Sequence, residues 1–279
     1  MDGRYITEMK KQARRFGVNL IPGSFAETCG EKVKNTCALI DRSGEVAGSY
    51  SKVHLMDAIG IRESDAAVPG DKLGVFDTDF GRIGLMVCFD LRFPEQPRSM
   101  VLQGADIIFC AASFPTGSPL PPRTDHWDLL VQSTALLNLT WTCAVNQFGS
   151  ICGGTENPFG RSMVVDPWGI VTASALGRRD IVYATLDMQH QKEIRGLIIG
   201  ENNIVSLLGV LCGILPGIGL TGLVLRVCES EMMAYPSRPA ALSVVLASVV
   251  TYVFSLLIQL LLTRKVRGID MVEALKSVE

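Results

Sequence analysis

Two stretches, residues 204–225 and 240–262, contain no charged side chain, and nothing else in the chain limits its folding as tightly. A helix of that length spans about 33 Å at 1.5 Å per residue, against about 30 Å for the hydrocarbon core of a bilayer. Two transmembrane helices are therefore expected, with a pair of buried core helices as the alternative reading. The mean hydropathy of +0.29 is high, and its excess sits at this end of the chain. Residues 1–195 instead alternate short apolar runs with polar turns. The break falls near residues 189–195 and divides the chain into a soluble domain, 1–190, and a membrane segment, 191–279.

Charge around the two runs sets an orientation. Lys192 and Arg195 precede the first, and Arg264, Lys265 and Arg267 follow the second. The positive-inside rule puts both ends in the cytoplasm and the loop 226–239 outside. The expected location is the cell membrane, with the soluble domain on the cytoplasmic side and membrane lipid as a partner. Gly209, Gly213 and Gly217 recur every four residues, a spacing that admits another helix closely or, with Pro216, yields a kinked one.

The first part reads as mixed α/β with several antiparallel pairs. Strand-type runs occur at 18–21, 37–40, 46–50, 83–87, 107–111, 141–145, 163–165, 170–172 and 181–186. Arg42-Ser43-Gly44-Glu45 and Asp166-Pro167-Trp168-Gly169 carry turn chemistry between paired runs and predict hairpins. Helices fit 5–16, 95–103 and 125–137.

Net charge is −2, and no basic cluster interleaved with aromatics suggests a nucleic-acid face. The eight cysteines lack Cys-x-x-Cys or Cys/His ligand spacing, so no zinc site is expected. The first residues lack the apolar core of a signal peptide, and the thiols are expected to be free in a reducing compartment.

One segment carries the chemistry. In Gly84-Leu85-Met86-Val87-Cys88-Phe89-Asp90-Leu91-Arg92-Phe93-Pro94-Glu95 an apolar strand ends at a cysteine, and a tight turn precedes a helix starting near Pro94. Such a junction exposes the sulfur and aims the next backbone N–H groups at the same point. Cys88 could then attack a carbonyl while the Phe89 N–H holds the oxyanion; the plain alternative is a packed, inert cysteine. Lys52, at the end of another run, would favour a nearby thiolate if it lay beside one, and otherwise is a solvated strand-end lysine. His54 is its rival, since strand alternation puts both on one face. Glu63 lies in a polar loop.

Taken together, Ser51-Lys52-Val53-His54-Leu55, Arg62-Glu63-Ser64, Pro69-Gly70-Asp71 and the Cys88 segment resemble the nitrilase superfamily of carbon-nitrogen hydrolases in order and spacing. The likeness runs on through Gly104-Ala105-Asp106, Ala111-Ala112-Ser113-Phe114, His126-Trp127, Asn146 and Gly160-Arg161-Ser162 to Asp166-Pro167-Trp168-Gly169. The resemblance implies an α-β-β-α sandwich, here partial and followed by an all-α transmembrane hairpin. It implies a face-to-face homodimer and no metal or organic cofactor. By the same resemblance Cys88 is the nucleophile that becomes acylated, Lys52 stabilises the tetrahedral intermediate, and Glu63 positions the lysine and substrate. The Cys88 segment looks most like amidase branches, omega-amidase-like members included, so a small amide is the implied substrate. Phe89, Arg92, Phe114 and His126 are candidate substrate-binding residues. For the last three the competing readings are a loop ion pair, a core aromatic and a helix-start histidine.

Two departures stand against full activity. The family's general-base glutamate follows a proline at a strand end well before the lysine, and Glu8, Glu27, Glu31 and Glu45 do not fit that pattern. The chain is expected to start in the helix before residues 18–24, leaving an exposed sheet edge and an incomplete core. Where the family commonly has Arg-Ala-x-Glu-Asn, this chain has Thr134-Ala135-Leu136-Leu137-Asn138.

From Glu193 on, Glu193-Ile194-Arg195, Gly200-Glu201-Asn202 and the closing run from Thr263 to Lys276 resemble the C-terminal end of an FtsX-like ABC-transporter permease. ABC-transporter subunits are the partners this implies. Two functions compete: an amidase tethered by a hairpin, or a permease remnant joined to a non-catalytic soluble domain.

Overall fold

The computed structural model describes residues 3–116, 124–150, 157–228 and 240–267. Its central feature is a parallel core of β5 (Gly81–Val87), β6 (Ile107–Ala112) and β8 (Trp141–Asn146). These strands are apolar on both faces, as a sheet covered on both sides requires. In β5, Ile83, Leu85 and Val87 face one apolar cluster with Cys37, Leu39 and Tyr50, while Met86 faces a second with Met100, Trp127 and Val131. Helices α2 (Glu95–Leu102) and α3 (Thr124–Asn138) make the crossovers between these strands.

Antiparallel strands extend the sheet on both sides. β4 (Gly74–Thr78) pairs with β5, and the hairpin β10 (Met163–Val165) with β11 (Val171–Ser174) pairs onto β8, giving the order β11-β10-β8-β6-β5-β4. The Asp166 carboxylate accepts the N–H groups of Trp168 and Ile170, each at 2.9 Å, and so closes the β10–β11 turn. A second sheet has the order β1-β2-β3, from β1 (Ser24–Cys29), β2 (Lys32–Ile40) and β3 (Val46–Ser51). Helix α1 (Arg4–Phe16) lies on its outer face: Arg14 reaches the Ser43 carbonyl at 2.6 Å and Lys10 reaches Glu45 at 3.0 Å. At Gly44 in the β2–β3 turn φ is +79°, and a Cβ there would sit 2.5 Å from the Lys10 carbonyl oxygen. Only glycine fits both demands. A third, two-stranded ribbon joins β7 (Pro115–Thr116) to β9 (Asn157–Pro158).

The smaller sheet covers only part of the larger one. Between the β1 edge and the inner face of β6 and β8 runs a groove of about 830 Å³, with Ile21, Leu39, Phe109, Ala111 and Val145 in its lining. Val145 is 61% exposed although it lies on a central strand.

Two expected strands are absent. Residues 18–21 make a single bridge, Leu20 to Ile40, and residues 181–186 are irregular, with Ile181 and Tyr183 exposed. Four strands among the described residues, β1, β4 and the short β7 and β9, lie where the sequence predicts none.

The chain forms two units, divided between Ile194 and Arg195. The first includes the start of α4 (Met188–Cys228), where buried Gln191 donates to the carbonyls of Asp106 at 2.9 Å and Leu139 at 3.1 Å. The second consists of the rest of α4 and α5 (Ala241–Arg267). Stretches Ile204–Val227 and Ala241–Ile258, with mean hydropathies of 2.2 and 2.4, are long and apolar enough to cross a membrane. Ser206, Gly209, Gly213, Gly217 and Thr221 of α4 line one groove with Ser243, Ala247 and Thr251 of α5. Most of the loop 226–239 and the closing run beyond Arg267 lie outside the described residues.

Candidate active site

Register aligns Val87, Ala111 and Val145 across the three parallel strands, so the carboxyl ends of β5, β6 and β8 lie side by side. Ligands of open α/β sheets bind outside such ends. Cys88 follows Val87 there and opens a 3₁₀ turn, Cys88–Arg92. Its φ is +49°, a left-handed value that costs a non-glycine residue about 1–3 kcal/mol unless the surroundings enforce it. The enforcement is visible: buried Asp90 accepts the Val87 N–H at 2.9 Å and pins the turn to the strand end. Cys88 is partly exposed, with its sulfur 3.9 Å from the Ser113 carbonyl oxygen at the end of β6.

Lys52 is buried just past β3 and donates to Glu63, which begins a 3₁₀ turn, Glu63–Asp65. Lys52 is itself fixed by backbone bonds, its N–H to Asn35 and its carbonyl from Gly70. Glu63 also accepts the Met56 N–H at 2.8 Å and the Asn35 side chain at 3.2 Å. Burial pushes the Glu63 carboxyl up, but the Lys52 hydrogen bond and charge, with Met56 and Asn35, hold it below its usual range.

The Cys88 thiol senses this pair. Desolvation raises it, Lys52 and the Ser113 contact pull it down, Glu63 and Asp90 push it up, and the balance lies above the ordinary thiol value. Among the described residues, the two carboxylates acting on the sulfur are both engaged, Glu63 with Lys52 and Asp90 with Tyr50 and His54.

The other candidate residues gather on one side of the Cys88 turn. Arg92 ends the turn, its guanidinium carbon 5.9 Å from the ring centres of both Phe89 and Phe114. Its Nη2 lies 3.3 Å from His126 Nδ1 on the exposed face of α3. Phe114 is buried, packed against Trp127 at 5.6 Å and Phe159 at 6.3 Å, so it backs this cluster rather than facing solvent.

Residues 1–195 match the carbon-nitrogen hydrolase family. The chain belongs to that family. It is 34% identical over 196 residues to 2-oxoglutaramate amidase of Bacillus subtilis (strain 168), covering 70% of this chain and 72% of the relative. It is 31% identical over 198 residues to an omega-amidase of Homo sapiens, covering 69% and 70% respectively. The crystal structure of a carbon-nitrogen hydrolase from Helicobacter pylori G27 matches with a TM-score of 0.65 at 28% identity, over 69% of this chain and 70% of that one. The first unit thus has the nitrilase-type α/β fold, and by family the chain is an enzyme of carbon–nitrogen bond hydrolysis with amidase relatives.

Within this hydrolase the structure separates Lys52 from His54, which sequence spacing could not. β3 ends at Ser51, so alternation no longer applies: Lys52 turns to Glu63, and His54 Nδ1 lies 3.0 Å from Asp90. Asp90, Tyr50 and Asn35 had no assigned role in the sequence reading. The signal for Asp90 was present, an acid two residues after the cysteine in a turn, but a turn acid is usually solvated. Asn35 and Tyr50 gave no signal, because only the folded chain brings Asn35 of β2 to Glu63 and packs Tyr50 of β3 against β5, next to Asp90.

Proposed function

We propose that this chain hydrolyses the carbon–nitrogen bond of a small amide through a thioester on Cys88. The observation that carries the reading is a cysteine in left-handed conformation at a parallel strand end, its turn tied through Asp90 to Tyr50 and His54, which flank the buried Lys52 of the Lys52–Glu63 pair. The Cys88 sulfur attacks the amide carbonyl, and the Phe89 N–H and Lys52 ammonium hold the oxyanion that forms. Glu63 keeps Lys52 in place. Collapse breaks the carbon–nitrogen bond, and the nitrogen leaves as ammonia with the proton that the thiol gives up, while the acyl group stays on sulfur. Water then attacks the thioester, which frees the carboxylic acid and restores the thiol.

Arg92, flanked by Phe89, Phe114 and His126, supports a substrate with an anionic group beyond its amide, since guanidinium forks match carboxylates. This fits relatives named for 2-oxoglutaramate and omega-amide hydrolysis. A homodimer through the hydrolase domain belongs to the same reading.

The two long apolar helices support attachment to the cell membrane, with the hydrolase domain and both termini cytoplasmic. The likeness of the hairpin to an FtsX-like permease segment extends this to ABC-transporter subunits as partners. A second reading, a permease segment carrying a non-catalytic domain, is favoured by the engagement of both carboxylates that act on Cys88 among the described residues, Glu63 with Lys52 and Asp90 with Tyr50 and His54. Ammonia release from a panel of small amides, measured on the full chain in detergent, separates the two. Release that vanishes in Cys88→Ala supports the amidase. No release, together with no acylation of Cys88 detectable by mass spectrometry, supports the second reading, the more so where an ATP-binding subunit co-purifies with the inactive chain.

A further inference from the structure

Beneath the Cys88 turn lies a buried polar cluster that the chemistry above does not use. Asp90, wholly buried, receives four contacts. The Val87 N–H at 2.9 Å and the Tyr50 hydroxyl at 2.7 Å donate to one carboxylate oxygen. The His54 N–H at 3.1 Å and His54 Nδ1 at 3.0 Å meet the other. A carboxylate only accepts, so His54 Nδ1 carries its hydrogen there. The Tyr50 oxygen in turn accepts the Gln96 side chain of α2 at 2.8 Å and the Val53 N–H at 3.1 Å.

The residues that Asp90 holds have a simple relation to the reacting groups. Val87 adjoins Cys88, and Tyr50, Val53 and His54 bracket Lys52 on both sides. One carboxylate therefore joins the two chain segments that bear the thiol and the ammonium. Neither partner has room to drift. The His54 ring stacks on Phe93 with centroids 3.7 Å apart and planes 9° apart. Tyr50 is backed by Gly74, where an added Cβ would lie 2.6 Å from the Tyr50 Cβ.

We infer that Asp90, acting through Tyr50 and His54, is a positioning residue that sets the distance between the Cys88 thiol and the Lys52 ammonium. The inference rests on the proposed pairing of Cys88 with Lys52. A change of distance alters how strongly the cation favours the thiolate, and so moves the pH midpoint of thiol reactivity. Removing Asp90 itself would confound this, because its own charge also bears on the sulfur. Tyr50→Phe and His54→Leu keep that charge and cut the links.

The experiment is the rate of Cys88 alkylation by iodoacetamide against pH, read by peptide mass spectrometry on the full chain. Lys52→Met fixes the effect of losing the cation, an upward shift that lowers the rate at neutral pH about tenfold per unit. Tyr50→Phe and His54→Leu are expected to move the midpoint in the same direction, and His54→Asn, which restores a donor to Asp90, to return it. Ile6→Ala, a core change under α1 and outside both clusters that touch Cys88, should lower the melting temperature and leave the midpoint alone. Unmoved midpoints in folded Tyr50→Phe and His54→Leu, with a shift in Lys52→Met, overturn the positioning role alone. An unmoved midpoint in Lys52→Met overturns the pairing on which it rests.

Discussion

Lys52 and Glu63 form an ion pair in which the ammonium is almost wholly buried, 3% exposed, and the carboxylate only slightly open, 19% exposed. Removing one partner of such a pair leaves an uncompensated buried charge, which typically costs about 3–5 kcal/mol. Glu63→Gln is therefore expected to destabilise the hydrolase domain by that order. Lys52→Met with Glu63→Leu, which removes both charges, should recover much of the loss. Chemical denaturation of the two variants and the parent checks this, and equal stability of Glu63→Gln and the parent would contradict it.

The same pair makes stability depend on acid. Glu63 titrates below its ordinary value of 4.5 in the folded chain, so the unfolded carboxylate binds its proton first as pH falls. Its contribution is complete above about pH 5.5 and is lost as pH drops through the lowered folded value. Stability measured from pH 7 to 3 should fall in that lower window, and the fall should be shallower in the double variant without the pair.

Cys88 should be distinguishable from the other core thiols by its reactivity. Burial pushes Cys37 and Cys143 up to about 12, whereas Lys52 and the Ser113 contact oppose that rise at Cys88. The thiol is still raised, so alkylation of Cys88 should be slow at pH 7 and speed up through pH 9, because the proton leaves only as pH rises. Cys37 and Cys143 should stay unmodified under native conditions. A rate at Cys88 that is flat between pH 6 and 9 would contradict the raised value.

The groove between the sheets predicts an uneven core. Met86 is fully buried against α2 and α3, and Met86→Ala should cost about 2–5 kcal/mol. Val145 is on the neighbouring central strand system but opens into the groove, so Val145→Ser should stay within about 0.5–1 kcal/mol. Comparable losses in the two variants, measured by urea denaturation, would mean that the groove is filled in solution.

These features differ in how far sequence revealed them. The parallel strands were legible because runs such as 83–87 are apolar on both faces, and the β2–β3 and β10–β11 hairpins because their turns carry Ser43-Gly44 in one and Asp166, Pro167 and Gly169 in the other. β1 was not: it is a polar edge strand, Ser24-Phe25-Ala26-Glu27-Thr28-Cys29, held by pairing with β2 rather than by burial. β4 was hidden by its glycine and aspartate. Residues 18–21 and 181–186 misled for the opposite reason, since β-branched residues favour extended chain but cannot supply a partner strand. At the site, Cys88 was legible from a strand running into a turn. The joining of Lys52 to Glu63 and of His54 to Asp90 depends on where β3 ends, which alternation does not encode.

The hairpin gives the last prediction. If α5 crosses a bilayer, Val250, near the middle of its apolar stretch, sits at the depth where an arginine costs about 2.5–3.5 kcal/mol in insertion. That corresponds to about a hundredfold change in partition. Val250→Arg should therefore reduce the protein retained in membranes after alkaline extraction, whereas Ser243→Arg, near the helix end, should reduce it less because a long side chain reaches the interface. If both variants stay in the membrane fraction as well as the parent, retention does not depend on α5 and α4 alone anchors the chain. If the parent is itself released by alkaline extraction, neither helix crosses, and the exposed apolar faces of α4 and α5 must instead be covered by protein.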